Sequence, residues 1–157
     1  QGMIICTILI ASKYNIESKR TGIMEQDTKT LIYSINFDMA ERIGRNLSLL
    51  ISSKKCYTDK QADTNDYLIN SSPQEHLDRI AEHCSDTPDY LLPDTPIKDA
   101  VFRIFLANGN RPMTAEEVSE DLTSRWYESN YPRDLEPQTI AQILAKDRFY
   151  CISPHKE

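Results

Sequence analysis

Glycine is scarce in this chain, with four residues at positions 2, 22, 44 and 109 of 157. They are too dispersed to build a glycine-rich phosphate loop or the elbow that presents a catalytic serine. Cysteine is just as thin. Cys6, Cys56, Cys84 and Cys151 form no CxxC pair and follow no metal-ligand spacing, so they read as scattered buried thiols in a reducing cytoplasm. The apolar run from Met3 to Ala11 is far shorter than the roughly 20 residues a membrane helix requires. No basic stretch precedes it, which argues against a signal peptide and leaves a buried strand or short helix as the expectation. Gln1-Gly2 ahead of Met3 reads as the remnant of a cleaved tag, with Met3 the expected natural start.

An excess of basic charge is also missing. Eighteen Lys and Arg stand against 24 Asp and Glu, for a net charge of −6. A non-specific DNA binder usually carries a basic footprint, so any nucleic-acid contact has to come from a local patch. No catalytic, cofactor or metal signature emerges, and the sequence points away from an enzyme. His76, His83 and Cys84 share one short segment. Zinc sites take three or four ligands, and the sequence supplies no second cluster, so no metal is expected.

What the chain does contain is regularly spaced apolar residues, 39% of the total against 27% charged, a balance that folds rather than stays disordered. The length allows one medium domain or two small ones. Leu31, Ile35, Met39, Ile43 and Leu47 recur every four residues, and Leu50 and Ile51 extend the stripe. The spacing predicts one long amphipathic helix over about 28–52, capped by Asp27 and weakened slightly by Gly44. A stripe of that length needs a cover, and a homodimer is one expected way to supply it. The segment 54–70 is polar and reads as a loop with a helical turn. Ser72-Pro73-Gln74-Glu75 starts a short helix with a capping box and proline at its first position.

Two prolines and three aspartates between Ser85 and Asp94 mark a linker, anchored by Tyr90, Leu91 and Leu92. The expected organisation is therefore a helical N-terminal region over 3–84, a linker over 85–94 and a second domain over 95–157. The fold class is mainly α. In the second domain, Thr95-Pro96 opens a helix that ends at Gly109. Thr114 to Glu117 forms a second capping box, and that helix runs to about Tyr127. Glu136-Pro137 opens a third helix reaching about Lys146, and Arg148 to Ser153 suggests a short strand stopped by Pro154. Ile97, Val101, Ile104, Phe105, Val118, Leu122, Trp126, Ile140, Ile143, Leu144 and Phe149 are the expected core.

Three helices followed by an aromatic strand is the order of a winged helix. The stretch Ala100-Val101-Phe102 through Asn110-Arg111-Pro112-Met113-Thr114, with Glu117-Val118, resembles the opening of HARE-HTH domains. Glu136-Pro137-Gln138-Thr139-Ile140, then Leu144 and Asp147-Arg148-Phe149, resembles that family's third helix and first wing strand. The bacterial RNA polymerase delta subunit carries such a domain. The resemblance covers about 96–153. No glycine follows Gly109, so the family's glycine-containing wing turn and second wing strand have no counterpart here. The resemblance implies a winged-helix (helix-turn-helix) fold with a short β wing, used for DNA or for protein contacts in transcription-related complexes.

On such a scaffold Gln138, Gln142 and Lys146 share the outer face of the third helix, with Arg133 and Arg148 flanking it. That face enters the major groove in helix-turn-helix proteins. Gln can pair with adenine, and Lys or Arg can reach guanine or phosphate. The same residues equally describe a solvated helix face. Glu116, Glu117, Glu120 and Asp121 on the second helix would repel phosphate and favour a protein partner. Trp126, Tyr127 and Tyr131 could stack bases, but packing is the commoner use. Two functions stay open: a small non-enzymatic regulator that binds DNA, or an adaptor that binds a transcription-related protein, with no membrane attachment.

Overall fold

A strand from the first half of the chain is the centre of the sheet. In the computed structural model, which describes residues 31–127, 129, 133 and 135–155, β1 (Ile32–Ile35) lies between β2 (Met113–Thr114) and β3 (Ile152–Pro154). Both pairings are antiparallel. Tyr33 faces Met113 on one side and Pro154 on the other, and Ile35 faces Ile152. Around this sheet stand α1 (Phe37–Arg42), α2 (Leu47–Ser52), α3 (Tyr57–Ala62), α4 (Asn65–Asn70), α5 (Pro73–Arg79), α6 (Ile97–Ala107), α7 (Ala115–Trp126) and α8 (Pro137–Ala145). The described chain is thus mainly helical with one small sheet. The expected cap at Asp27 and the expectations for Gln1 to Ala11 lie outside the described residues.

The single long helix over 28–52 is not formed, and its first described part is β1. Ile32-Tyr33-Ser34-Ile35 carries β-branched and aromatic side chains that suit a strand. Asn36 then caps α1, its Oδ1 accepting from Met39 N–H at 2.8 Å. Gly44 ends the helix with φ +68°, the left-handed conformation that glycine adopts without a Cβ penalty. Asn46 caps α2 in the same way, accepting from Leu49 N–H at 2.9 Å. The four-residue spacing survives only as coincidence. Ile35, Leu47 and Ile51 are buried, whereas Leu31 and Ile43 are exposed.

The segment expected as a loop, 54–70, instead holds α3 and α4. The helix begun by Ser72 does form with its reciprocal capping box, and continues through a π-helical turn, Ile80–Cys84. Residues 85–94 have no regular structure but are firmly packed. Tyr90 and Leu91 are buried, while Leu92 is exposed. Arg103 donates to the carbonyls of Tyr90 at 2.8 Å and Lys54 at 3.0 Å. Tyr90 Oη donates to the carbonyl of Arg103 at 2.9 Å, and Trp126 Nε1 to that of Leu91 at 3.1 Å. One apolar core takes in residues from both sides of this segment, from Tyr33 to Ile152.

In the second half most local signals hold, although Pro96 rather than Thr95 takes the cap position of α6, with no side-chain cap. Thr114 and Glu117 form their capping box, and Gly109 closes α6 with φ +72°. Val101, Ile104, Phe105, Val118, Leu122, Trp126, Ile140 and Leu144 are buried, and Ile97 and Ile143 pack against them. Phe149 departs from expectation and is 49% exposed. Its neighbour Tyr150 turns inward and stacks on Phe102 at 4.6 Å. The last strand is also shorter and later than the sequence suggests. Asp147 takes the amides of Phe149 and Tyr150 on Oδ1 and that of Ile152 on Oδ2. The amides of Phe149 and Tyr150 are thereby spent within the turn, and pairing begins at Ile152 and runs on through Pro154.

Candidate interaction surface

Proline at the first position and the spacing of Ile140 and Leu144 set the orientation of α8. With those two buried against α7, Gln138 and Gln142 come out on the opposite face. Lys146, the C-cap residue, and Arg148 are exposed beyond the helix end. Four of the five residues expected to meet DNA therefore reach solvent. Arg133 is held elsewhere. Its Nη1 donates to the Thr95 carbonyl at 2.9 Å, and its guanidinium lies 5.2 Å from the Trp126 ring centre. It serves as a clamp on the start of α6, with a cation–π contact of the kind that orders an Arg.

The acidic residues of α7 divide in the same way. Glu117 completes a capping box, and Asp121 pairs with Arg125 at 2.8 Å. Glu116 and Glu120 remain exposed.

A different feature adjoins the end of α8. Between α1 and α2 lies an open groove of about 590 Å³ lined by Ile43, Gly44, Arg45, Asn46, Leu49, Leu50 and Ser53. Ile43 and Leu49 are 53% and 66% exposed, and both are exposed because Gly44 breaks the helix. Arg45 links the groove to the C-terminal segment, its guanidinium lying 4.6 Å from the Phe149 ring centre. Phe149 in turn meets Tyr150 edge-on at 4.9 Å. Ile43, Leu49, Arg45 and Phe149 thus occupy one neighbourhood. The sequence places Ile43 in a buried stripe and Phe149 in the core and leaves Leu49 unassigned; the helix break at Gly44 brings Ile43 and Leu49 to the surface.

Beneath this surface sits a charged anchor. Asp99 bonds Arg103 at 3.0 Å and is paired with Lys54, and it accepts from Tyr150 Oη at 3.2 Å. Burial pushes the Asp99 carboxyl up, but the bonds from Lys54 and Arg103 outweigh it and hold the group below its ordinary range. Burial, followed by the nearby Asp99 charge, pushes the Tyr150 hydroxyl up to about 12. These are positioning interactions; they fix the base from which Phe149 projects.

Compared with family models, with curated proteins and with solved structures, the chain shows no significant match to any. Among the described residues, no helix is long and apolar enough to cross a membrane.

Proposed function

We propose that this chain is a small non-enzymatic adaptor whose winged-helix-like scaffold binds a partner protein. The scaffold reading rests on strand order. β2 precedes α7 and β3 follows α8, as the first two strands of a winged helix do. Both lie against β1, and on this reading β1 serves as the last wing strand. A three-stranded sheet in this order supports the winged-helix reading.

The observation that carries the choice of partner is the Ile43–Leu49 groove with Arg45 stacked on Phe149 beside it. An exposed apolar groove with the Arg45 cation in its lining suits a segment bearing apolar anchors and an acidic flank. DNA is less well served. With Arg133 committed to Thr95 and Trp126, the α8 face offers Lys146 and Arg148 as cations, against exposed Glu116, Glu120 and Glu136. A cytoplasmic setting fits an adaptor that keeps its thiols reduced.

A displayed library of random peptides tests the reading. Enrichment of apolar-acidic sequences, with binding lost in Leu49→Asp and kept in Lys146→Glu, is the expected result. Leu49 is exposed, so the charge does not disturb the core. Failure to enrich any peptide overturns the proposal. So does tight binding to duplex DNA that Lys146→Glu abolishes, which would instead assign the α8 face to nucleic acid.

A further inference from the structure

Three ligand-type side chains converge outside that surface. Cys56 precedes α3 as its cap residue, Asp59 lies in the first turn of α3, and Cys84 ends the π-helical turn after α5. The two Sγ atoms are 3.0 Å apart, and Cys84 Sγ is 3.3 Å from Asp59 Oδ2. One donor atom from each residue lies within 4.8 Å of the others, and all three residues are buried. Neither His76 nor His83 belongs to the group. The sequence conceals it because Cys56 and Cys84 stand 28 positions apart and no short motif joins them.

The separations suit a tetrahedral ion. Zinc bonds of about 2.3 Å to sulfur and 2.0 Å to oxygen place sulfur–sulfur edges near ~3.8 Å and sulfur–oxygen edges near ~3.5 Å. The Cys56–Cys84 and Cys84–Asp59 separations would open by under ~1 Å to accept one. The surroundings already supply what ligands of this kind require. Arg79 donates Nε to Asp59 Oδ2 and Nη2 to Oδ1, both at 3.1 Å. The backbone N–H of Cys56 donates to Cys84 Sγ at 3.1 Å. Two thiolates and a carboxylate would balance a divalent ion together with the Arg79 cation, which reaches Asp59 from the solvent side, leaving the cluster neutral. The π-turn adds a further sign. Ser85 N–H bonds the carbonyl of Ile80 at 3.0 Å, and such turns, costly in a helix, recur at functional sites.

We propose that Cys56, Asp59 and Cys84 form a binding site for a thiophilic divalent cation of the zinc type, with Arg79 as the residue that orients Asp59. Three protein ligands leave the fourth position to water. On binding, the two thiols lose their protons to solvent and become thiolates; no redox step is involved.

The full chain, reduced and stripped with a chelator, is titrated with cobalt(II) and then zinc(II). One cobalt per chain is expected, with a thiolate-to-metal charge-transfer band that zinc abolishes. Cys56→Ala and Cys84→Ala lose the band, and Arg79→Gln binds about 10–100-fold more weakly. Should the cysteine variants fail to fold, the wild-type chain still decides. Zinc must slow alkylation of Cys56 and Cys84 relative to the zinc-free protein, with Cys151 unaffected. Absence of the band at excess cobalt overturns the site, as does a band that persists in folded Cys84→Ala or alkylation indifferent to zinc. A chain recovered with Cys56 and Cys84 joined as a stable disulfide also overturns it.

Discussion

The side-chain amide of Asn110 pairs with both backbone groups of Ile35, accepting from its N–H at 2.7 Å and donating to its carbonyl at 3.0 Å. One asparagine thus extends the ladder on β1 beyond β2 and ties the turn after α6 to the strand 75 residues earlier. Asn110 itself has φ +58°, a conformation asparagine tolerates better than most residues. Asn110→Ala is expected to cost about 1–3 kcal/mol, from two lost bonds and the left-handed backbone. Asn110→Gly relieves the backbone and falls between that variant and wild type. Urea unfolding checks both; an alanine variant within about 0.5 kcal/mol of wild type would show the joint to be incidental.

Phe105 and Phe149 should respond oppositely to truncation. Phe105 is fully buried between α6 and its neighbours, and Phe105→Ala is expected to cost about 3–5 kcal/mol. Phe149 is half exposed and touches Arg45 and Tyr150, so Phe149→Ala should cost under about 1 kcal/mol. Comparable losses in thermal unfolding would return Phe149 to the core.

His76 should make the protein acid-sensitive. It is fully buried, and neither ring nitrogen has a partner among the described residues. Burial first, then the nearby Lys55 cation, push its pKa below the ordinary 6.5. The folded state therefore holds His76 neutral while the unfolded chain takes up a proton as pH falls through 6.5. The stability conferred by neutral His76 is present above that value and lost progressively below it. Unfolding midpoints from pH 7.5 down to 5 should fall with acid in wild type and less steeply in His76→Leu. Parallel profiles would assign the acid response to other groups.

Nucleic-acid binding should be weak and only mildly dependent on salt. From 93 to 157 eight Lys and Arg face eleven Asp and Glu, a balance of −3. With Lys146 and Arg148 available, the logarithmic salt slope for duplex DNA should be about −2, at roughly −0.9 per phosphate contact. Anisotropy titrations with random duplex at low salt measure it. A slope several times steeper would reveal a basic surface beyond these two residues.

Assembly offers a final measurement. The dimer expected from an unbroken stripe loses its physical basis once Ile35, Leu47 and Ile51 are buried within the chain's own core. A monomer at micromolar concentration is the expected sedimentation result. A dimer that Leu49→Asp dissociates would seat a second copy in the groove and replace the partner-protein reading.

Local chemistry was legible where one or two turns of chain suffice to satisfy it. Ser72 with Glu75, Thr114 with Glu117, Gly109 after α6 and Pro137 opening α8 each announce an element, because a helix end must find partners for its own orphaned amides and carbonyls nearby. The apolar spacing identified Val101, Ile104, Phe105, Val118, Leu122, Trp126, Ile140 and Leu144 as core for the same reason, but not the equally buried Ala100, Phe102, Leu106 and Ala115.

What only the tertiary structure decided is which distant residues share a space. The four-residue stripe from Leu31 fits a helix as well as a strand, a helix and a turn in succession. The choice fell to β1 because β2 and β3 needed a central strand whose amides and carbonyls they could pair with. Arg133 left the α8 face because Thr95 and Trp126 hold it, and Cys56 found Cys84 because α3 packs beside the π-turn. Spacing along a chain encodes the period of an element, whereas such pairings depend on how elements close around one core, and no local pattern carries that.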